Sequence, residues 1–387
     1  HDGWLENSCR GAGRVSSTTT ERRSFRWPLE LQIEPRMDSP RWLAPLVSLV
    51  AVLLALVMGA VVLALVGGNP FRAYAHIAGA AFGSLGVFSD TLVKATPLIF
   101  TGTACAVAFK MKLWNIGAEG QFFMGALGAS IVILAGVVSE DASRVVTLAV
   151  MAVAGAMFGA AWGFIPGILK ARLGVNEIIT TLMLNYIAFA LVNYFIFGVW
   201  SEGGFQMTRT FQRAAWLPRL SDLAEQFPIM RGLTTHAGFI LAVVVAIIAW
   251  YILFRSLWGY EIRLIGDNPR AAKYAGIKIT RNTVLVLMLS GGIAGMGGMS
   301  EIAGVIHRLQ GSISPGYGFT GIIIAWLAKL NPLLVIPVSI LFGGLILAGR
   351  EIQPSGVPRL IQGIILFMLI ASEVFLRYHV RLVRRTA

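Results

Sequence analysis

Long stretches without a single charged residue constrain this chain more than any other feature. They run from Trp42 to Phe71, Val145 to Leu169, Ile178 to Ser201, Leu309 to Ala328 and Leu330 to Gly349. A helix needs about 20 apolar residues to cross a hydrocarbon core. One such run fits a buried helix of a soluble domain, but a series of them does not. Only 13% of the 387 residues are charged, against roughly 25% in soluble domains, too few to clothe a water-soluble surface. The expected fold class is therefore all-α: a polytopic membrane protein with about ten transmembrane helices. Apolar segments fall at 43–67, 91–109, 121–138, 146–169, 177–199, 237–254, 282–303, 318–329, 332–349 and 359–376.

A net charge of +13 would suggest nucleic acid in a soluble protein. In a membrane protein it has a simpler source, because Lys and Arg concentrate in cytoplasmic loops. Placing both termini inside puts most of the 32 basic residues in inner loops, and no nucleic-acid partner is expected. Residues 1–36 are polar, Arg-rich and Ser/Thr-rich. They read as a disordered extension ahead of a start at Met37, without the apolar core of a secretory signal. The membrane domain is expected over 37–376 and a basic cytoplasmic tail over 377–387. Residues 73–89 read as an interfacial helix on the outer side. The loop 202–236 should face outside, and 255–281 should be the long cytoplasmic loop. Cys9 and Cys105 offer no disulfide framework, the five histidines are scattered, and no metal site is expected.

Chemistry concentrates at two glycine-interrupted places. In "LWNIGAEGQFFMGALGA", Asn115, Glu119 and Gln121 lie where a helix begins. An acid near the membrane interior usually faces a bundle interior or a wet path; the alternative is an interfacial position beside a basic loop. In "GSISPGYGFTGIIIAWLAKLNP", Gly316, Gly318 and Gly321 spell GxGxxG. No strand precedes them, so the dinucleotide reading is poor. Tyr317 and Phe319 sit within this second break. Under the expected topology the two breaks approach from opposite sides, which fits an inverted-topology repeat of discontinuous helices. In "GVNEIITTLMLNYIAFALVNY", Thr181 and Asn185 are four apart and share a helix face. Interhelical hydrogen bonding and path lining remain equally open for them. There is no GxxxxGK[ST], hence no P-loop nucleotide site, and no catalytic constellation.

These stretches, with "GYEIRLIGDNPRAAKYAGI" and "IQGIILFMLIASEVF", resemble the permease subunits of bacterial ABC importers. Within that group, which also moves simple sugars and branched-chain amino acids, NIGAEGQ resembles the nucleoside branch. The resemblance runs in order from about Met37 to Phe375. It implies a translocation subunit of the inner membrane, not itself an enzyme. The implied partners are a second, similar but distinct permease, a cytoplasmic ATPase that binds ATP and Mg, and an extracytoplasmic substrate-binding lipoprotein. Asn115, Glu119, Gln121, Thr181, Asn185, Tyr317 and Phe319 are then expected along the substrate path. The loop 255–281 matches the coupling element that seats on the ATPase, through Gly259, Arg263, Gly266, Asp267, Asn268, Ala271, Ala272, Tyr274 and Gly276. The residues agree independently: the loop is basic, and Asp267 or Asn268 can cap a helix begun at Pro269.

Two rival readings concern function. The same architecture could import ribose-like sugars or branched-chain amino acids. An ion-coupled secondary transporter would need a lone intramembrane acid, and only Glu119, Glu177 and Glu301 are available.

Overall fold

The computed structural model describes residues 29–35, 43–65, 67–139, 141–349, 360–365, 367–368, 371–372 and 378–384. The chain is a multi-pass helical membrane protein. Five helices are long and apolar enough to cross a membrane: Leu85–Lys110 (α3), Arg144–Leu173 (α5), Glu177–Val199 (α6 with a π-helical last turn), Ala237–Arg255 (α7) and Ile279–Ile306 (α10 with a similar last turn). Ahead of them Leu43–Leu65 (α1) and Pro70–Phe82 (α2) are bent by 119° at a short break. Ala118–Leu134 (α4), Tyr317–Leu327 (α11) and Pro332–Ala348 (α12) are apolar but shorter. Each of the apolar segments read from sequence contains a helix, the last of them described at 360–365, 367–368 and 371–372.

Backbone chemistry explains where these helices start. Ser84, Ser143, Asn176, Asn331 and Asn69 each turn a side-chain oxygen onto a first-turn N–H of α3, α5, α6, α12 and α2. The α5 helix ends at Gly174, whose left-handed φ of 66° closes its last carbonyls.

Packing follows small residues. Gly155, Gly159 and Gly163 of α5 lie against Gly295, Gly291 and Leu287 of α10, so close that a Cβ at Gly159 would fall on the Gly291 carbonyl. In lipid, close backbone approach replaces the hydrophobic drive as the source of helix association. Gly125 of α4 meets Gly295 in the same way, and Gly343 of α12 meets Ala95 of α3.

Two three-helix units emerge from this packing. In one, long α3 is followed by short α4 and then α5; in the other, long α10 is followed by short α11 and then α12. Each long helix packs on the short and following helices of the other unit, α3 on α11 and α12, α10 on α4 and α5. The long helices also run in opposite directions. Lys110 at the end of α3 touches Gly266 of Leu257–Asp267 (α8), and Asn282 at the start of α10 bonds Glu261 of the same α8. An inverted repeat is what the two glycine breaks suggested; the exchange of long helices is seen only in the structure.

On the α8 face, Pro269–Tyr274 (α9) follows α8 before α10 begins. On the opposite face, the segment 202–236 folds in short 3₁₀ turns over the end of α10. There Leu217 N–H donates to Ala303 C=O and Phe211 N–H to His307 C=O.

One element was absent from the sequence reading. Leu29–Pro35 (β1), placed there in a disordered extension, pairs antiparallel with Tyr378–Arg384 (β2), with Leu31 opposite Leu382. LELQIEP alternates apolar and polar residues with strand period. A ten-helix background and basic flanks masked that short alternation. Residues 1–28 and 36 lie outside the described residues, as does most of the boundary expected near 376.

Candidate functional site

The break between α3 and α4 is built from amides and hydroxyls. A helix N-terminus inside a membrane protein presents N–H groups that water does not reach, so side chains must accept from them. Asn115, fully buried, takes Gly117 N–H on its Oδ1 at 3.0 Å. Its Nδ2 donates to Gln121 Oε1 at 2.8 Å and to Ser290 Oγ of α10 at 2.9 Å. Ser290 in turn donates to Ala104 C=O of α3 at 2.7 Å. From α6, Thr181 Oγ1 accepts Ile116 N–H at 3.2 Å and Asn185 Oδ1 accepts Gly120 N–H at 2.8 Å. Asn185 Nδ2 closes the set by donating to Ile116 C=O at 3.0 Å. Thr181 and Asn185 thus do share a face, and that face secures the start of α4.

The second break meets the first. Gly316, at φ 104°, turns the chain into α11, and Ser314 Oγ accepts from Gly316 and Tyr317 N–H at 3.0 and 2.9 Å. Gly318 N–H donates to Glu119 Oε2 at 2.5 Å, and the Ser314 hydroxyl also bonds that carboxylate. Two helix N-termini therefore face one another across a single buried acid. Each carries the positive end of a helix dipole, and a carboxylate between them is favoured by both. Any side chain at 318 would fall on the Glu119 backbone, so the approach requires glycine. Thr101 Oγ1 of α3 donates to Tyr317 C=O at 3.0 Å and binds the joint to the long helix.

Sequence reasoning did not single out Lys94. It is buried in α3, with Nζ 3.3 Å from Tyr317 Oη and 3.7 Å from Glu301 Oε1 of α10. The available signal was a lysine three residues inside an apolar segment. Lys94 also lines a cavity of about 320 Å³ with Asp90, Arg219 and Thr234. Beside it His307 stacks on Trp216, ring centroids 3.8 Å apart, with Arg219 at 3.1 Å from its Nε2. Burial, with Arg219 nearby, pushes the His307 pKa down to about 4. His236, capping α7 through Nδ1 on Gly238 N–H at 3.1 Å, is likewise pushed down to about 4, by burial first and by Arg219, His307 and Lys94 after it.

Of the residues expected on the path, Asn115, Glu119, Gln121, Thr181, Asn185 and Tyr317 come together, all buried; the first five bond one another or backbone, and the Tyr317 hydroxyl meets Lys94. Phe319 stands apart, 41% exposed on α11.

The residues expected to couple to a partner lie on α8, α9 and the turns around them. Asn268 is the cap, its Oδ1 accepting Ala271 N–H at 3.1 Å, with Pro269 in the first turn. Gly259 and Gly266 are buried where α8 abuts α7 and Lys110. Arg263 donates to Leu253 C=O and lies over the Phe254 ring, holding α8 against α7. Asp267, Asn268, Ala271 and Gly276 are exposed, and Tyr274 is 93% exposed. Ala272 corrects the expectation of a single surface: it is fully buried, because a short helix lying on the bundle turns one side inward.

The family described as branched-chain amino acid transport system, permease component, matches residues 87–372. The glucose ABC transporter permease of Haloferax volcanii is 35% identical, over 91% of this chain and 94% of its own. The guanosine ABC transporter permease of Bacillus subtilis is 32% identical, over 86% and 94%. A nucleoside ABC transporter permease of Lactococcus lactis is 31% identical, over 81% and 86%.

Proposed function

The chain belongs to the permease-component family of branched-chain amino acid transport systems, and from that premise we propose that it carries nucleosides inward as one membrane subunit of an ABC importer. The observation that carries the reading is the joint in which α4 and α11 meet N-terminus to N-terminus on Glu119. In transporters built from inverted repeats, discontinuous helices frame a fixed site around which one repeat rocks against the other. Nucleoside cargo is supported by two of the three relatives named above, and by NIGAEGQ.

In this reading the buried amides and Glu119 hold the joint and do not bind cargo as ions. The cargo passes beside it, along the face where Phe319 is exposed, between this chain and a second, similar permease. An aromatic ring there can stack on a base. A neutral ligand needs no buried counter-charge, which agrees with Lys94 and Glu301 being paired with one another and with Glu119 being held by Gly318 N–H and Ser314.

The α8–α9 face is cytoplasmic, with both termini on that side of the inner membrane. Its basic residues Arg255, Arg270, Lys273, Lys278 and Arg281 support this orientation, and the pairing of β1 with β2 keeps the two ends together. A partner ATPase, which binds ATP and Mg, seats on Ala271 and Tyr274. An extracytoplasmic binding lipoprotein delivers cargo to the 202–236 side.

Competition tests the cargo. Uptake of labelled guanosine should fall with excess unlabelled nucleosides and stay unchanged with excess glucose or ribose. Suppression by the sugars and not by nucleosides would replace this reading with the sugar one.

A further inference from the structure

Where α5 ends and α10 begins, the two helices leave a groove of about 510 Å³ between them. Ile168, Val284 and Leu285 form its apolar floor, and Arg172, Lys278 and Arg281 line its rim. Among the described residues no carboxylate pairs with these three cations. Lys170 nearby is already bound to Glu177 at 2.7 Å, and Glu261, across the adjoining cavity, accepts from Asn282 at 2.8 Å. The first turn of α10 adds to the positive field, since Lys278 makes no side-chain cap bond to it. The groove is therefore a concentration of unbalanced positive charge over an apolar floor.

A second observation says what kind of anion suits it. Along α5 an exposed apolar stripe, Val153, Met157 and Phe164, leads toward Ile168 and the groove. Those side chains face outward over the span itself, where acyl chains lie. An occupant with a negative head and long apolar tails satisfies rim, floor and stripe together. Free phosphate would use only the rim.

We propose that this groove binds the headgroup of an anionic phospholipid, with its acyl chains laid along α5. Lipid at this place would brace the junction between α5 and α10, beside the segment that follows α9. Each Lys or Arg near a membrane surface contributes about a fivefold preference for anionic lipid.

The test measures retained lipid. The full chain is reconstituted in mixed phosphatidylcholine and phosphatidylglycerol bilayers, extracted in mild detergent, and its bound lipid quantified by mass spectrometry. The wild type should retain phosphatidylglycerol in excess of its share in the bilayer. Arg172→Gln with Arg281→Gln should cut that enrichment about thirtyfold, while Arg172→Lys with Arg281→Lys should keep most of it. Lys273→Gln, on α9 and outside the groove, should leave it unchanged. The proposal is overturned if the wild type shows no enrichment, or if Lys273→Gln lowers it as much as the double variant does. Displacement of phosphatidylglycerol by inorganic phosphate would overturn it too, as would loss of ATPase co-purification in the double variant with lipid retention intact.

Discussion

Glu119 shows how one side chain can hold two helices. Its carboxylate accepts from Gly318 N–H across the joint, a bond that a neutral amide oxygen can also accept. Glu119→Gln should therefore keep most nucleoside uptake, whereas Glu119→Leu leaves a buried N–H unpaired at a cost of about 1–3 kcal/mol. Gly318→Ala forces a methyl onto the Glu119 backbone; it should lower thermal stability in detergent by about 1–3 kcal/mol and lose transport. If Glu119→Gln abolished uptake with the protein intact, the charge itself would matter. His236 and His307 share the pH dependence, and His236 is the more deeply buried. Its pKa is pushed below the ordinary value, to about 4, so the fold prefers the neutral ring. That stability is complete above about pH 6.5 and is lost as pH falls toward 4, on the order of 3 kcal/mol. Melting curves of the wild type should drop over that window, and His236→Gln should flatten the drop. Equal slopes would remove His236 from the cause. Asn115, Glu119 and Gln121 were legible as polar groups where polar groups cost energy. Their distant partners were not, because Ser290 and Gly318 come from helices far along the chain, and only the crossing of α10 and α11 brings them near.

Among elements, α9 was the most readable: its cap and first-turn proline are local signals, and Asn268 and Pro269 occupy those places. Its orientation was not local, since burial of Ala272 depends on the bundle beneath. Two substitutions on this helix should thus behave differently. Tyr274→Glu, at an exposed site, should leave folding intact and reduce ATPase co-purification or separate hydrolysis from uptake. Ala272→Glu should destabilise the loop itself, by 2 kcal/mol or more as an order of magnitude for a buried unpaired acid. Normal coupling in Tyr274→Glu would take α9 out of the ATPase contact. The glycines of α5 and α10 stand in the small-residue runs GAMFGAAWG and GGIAGMGGM, and small residues allow close helix packing. That they face each other, and not lipid, is set by the tertiary arrangement. Gly159→Leu would collide with the Gly291 backbone and should lower the melting temperature more than Gly198→Leu, where nothing lies nearby.

At the scale of the molecule, the long uncharged runs and the low share of charged residues were enough for a polytopic helical bundle, because hydrocarbon tolerates little else. The inverted arrangement could be suspected from two glycine breaks. It became visible only in the exchange of long helices, α3 onto α11 and α12, and α10 onto α4 and α5. The ribbon of β1 and β2 was hidden because its strands are separated by almost the whole chain. In the proposed function such a bundle rocks about the Glu119 joint, and the proposed ATPase partner delivers the work at α8 and α9. Labelled guanosine uptake, in membranes holding this chain with the proposed ATPase and second permease, tests that directly. Uptake should stop with vanadate, which blocks ATP turnover, and persist when an uncoupler dissipates the ion gradient. Uptake that survived vanadate and collapsed with the uncoupler would contradict it.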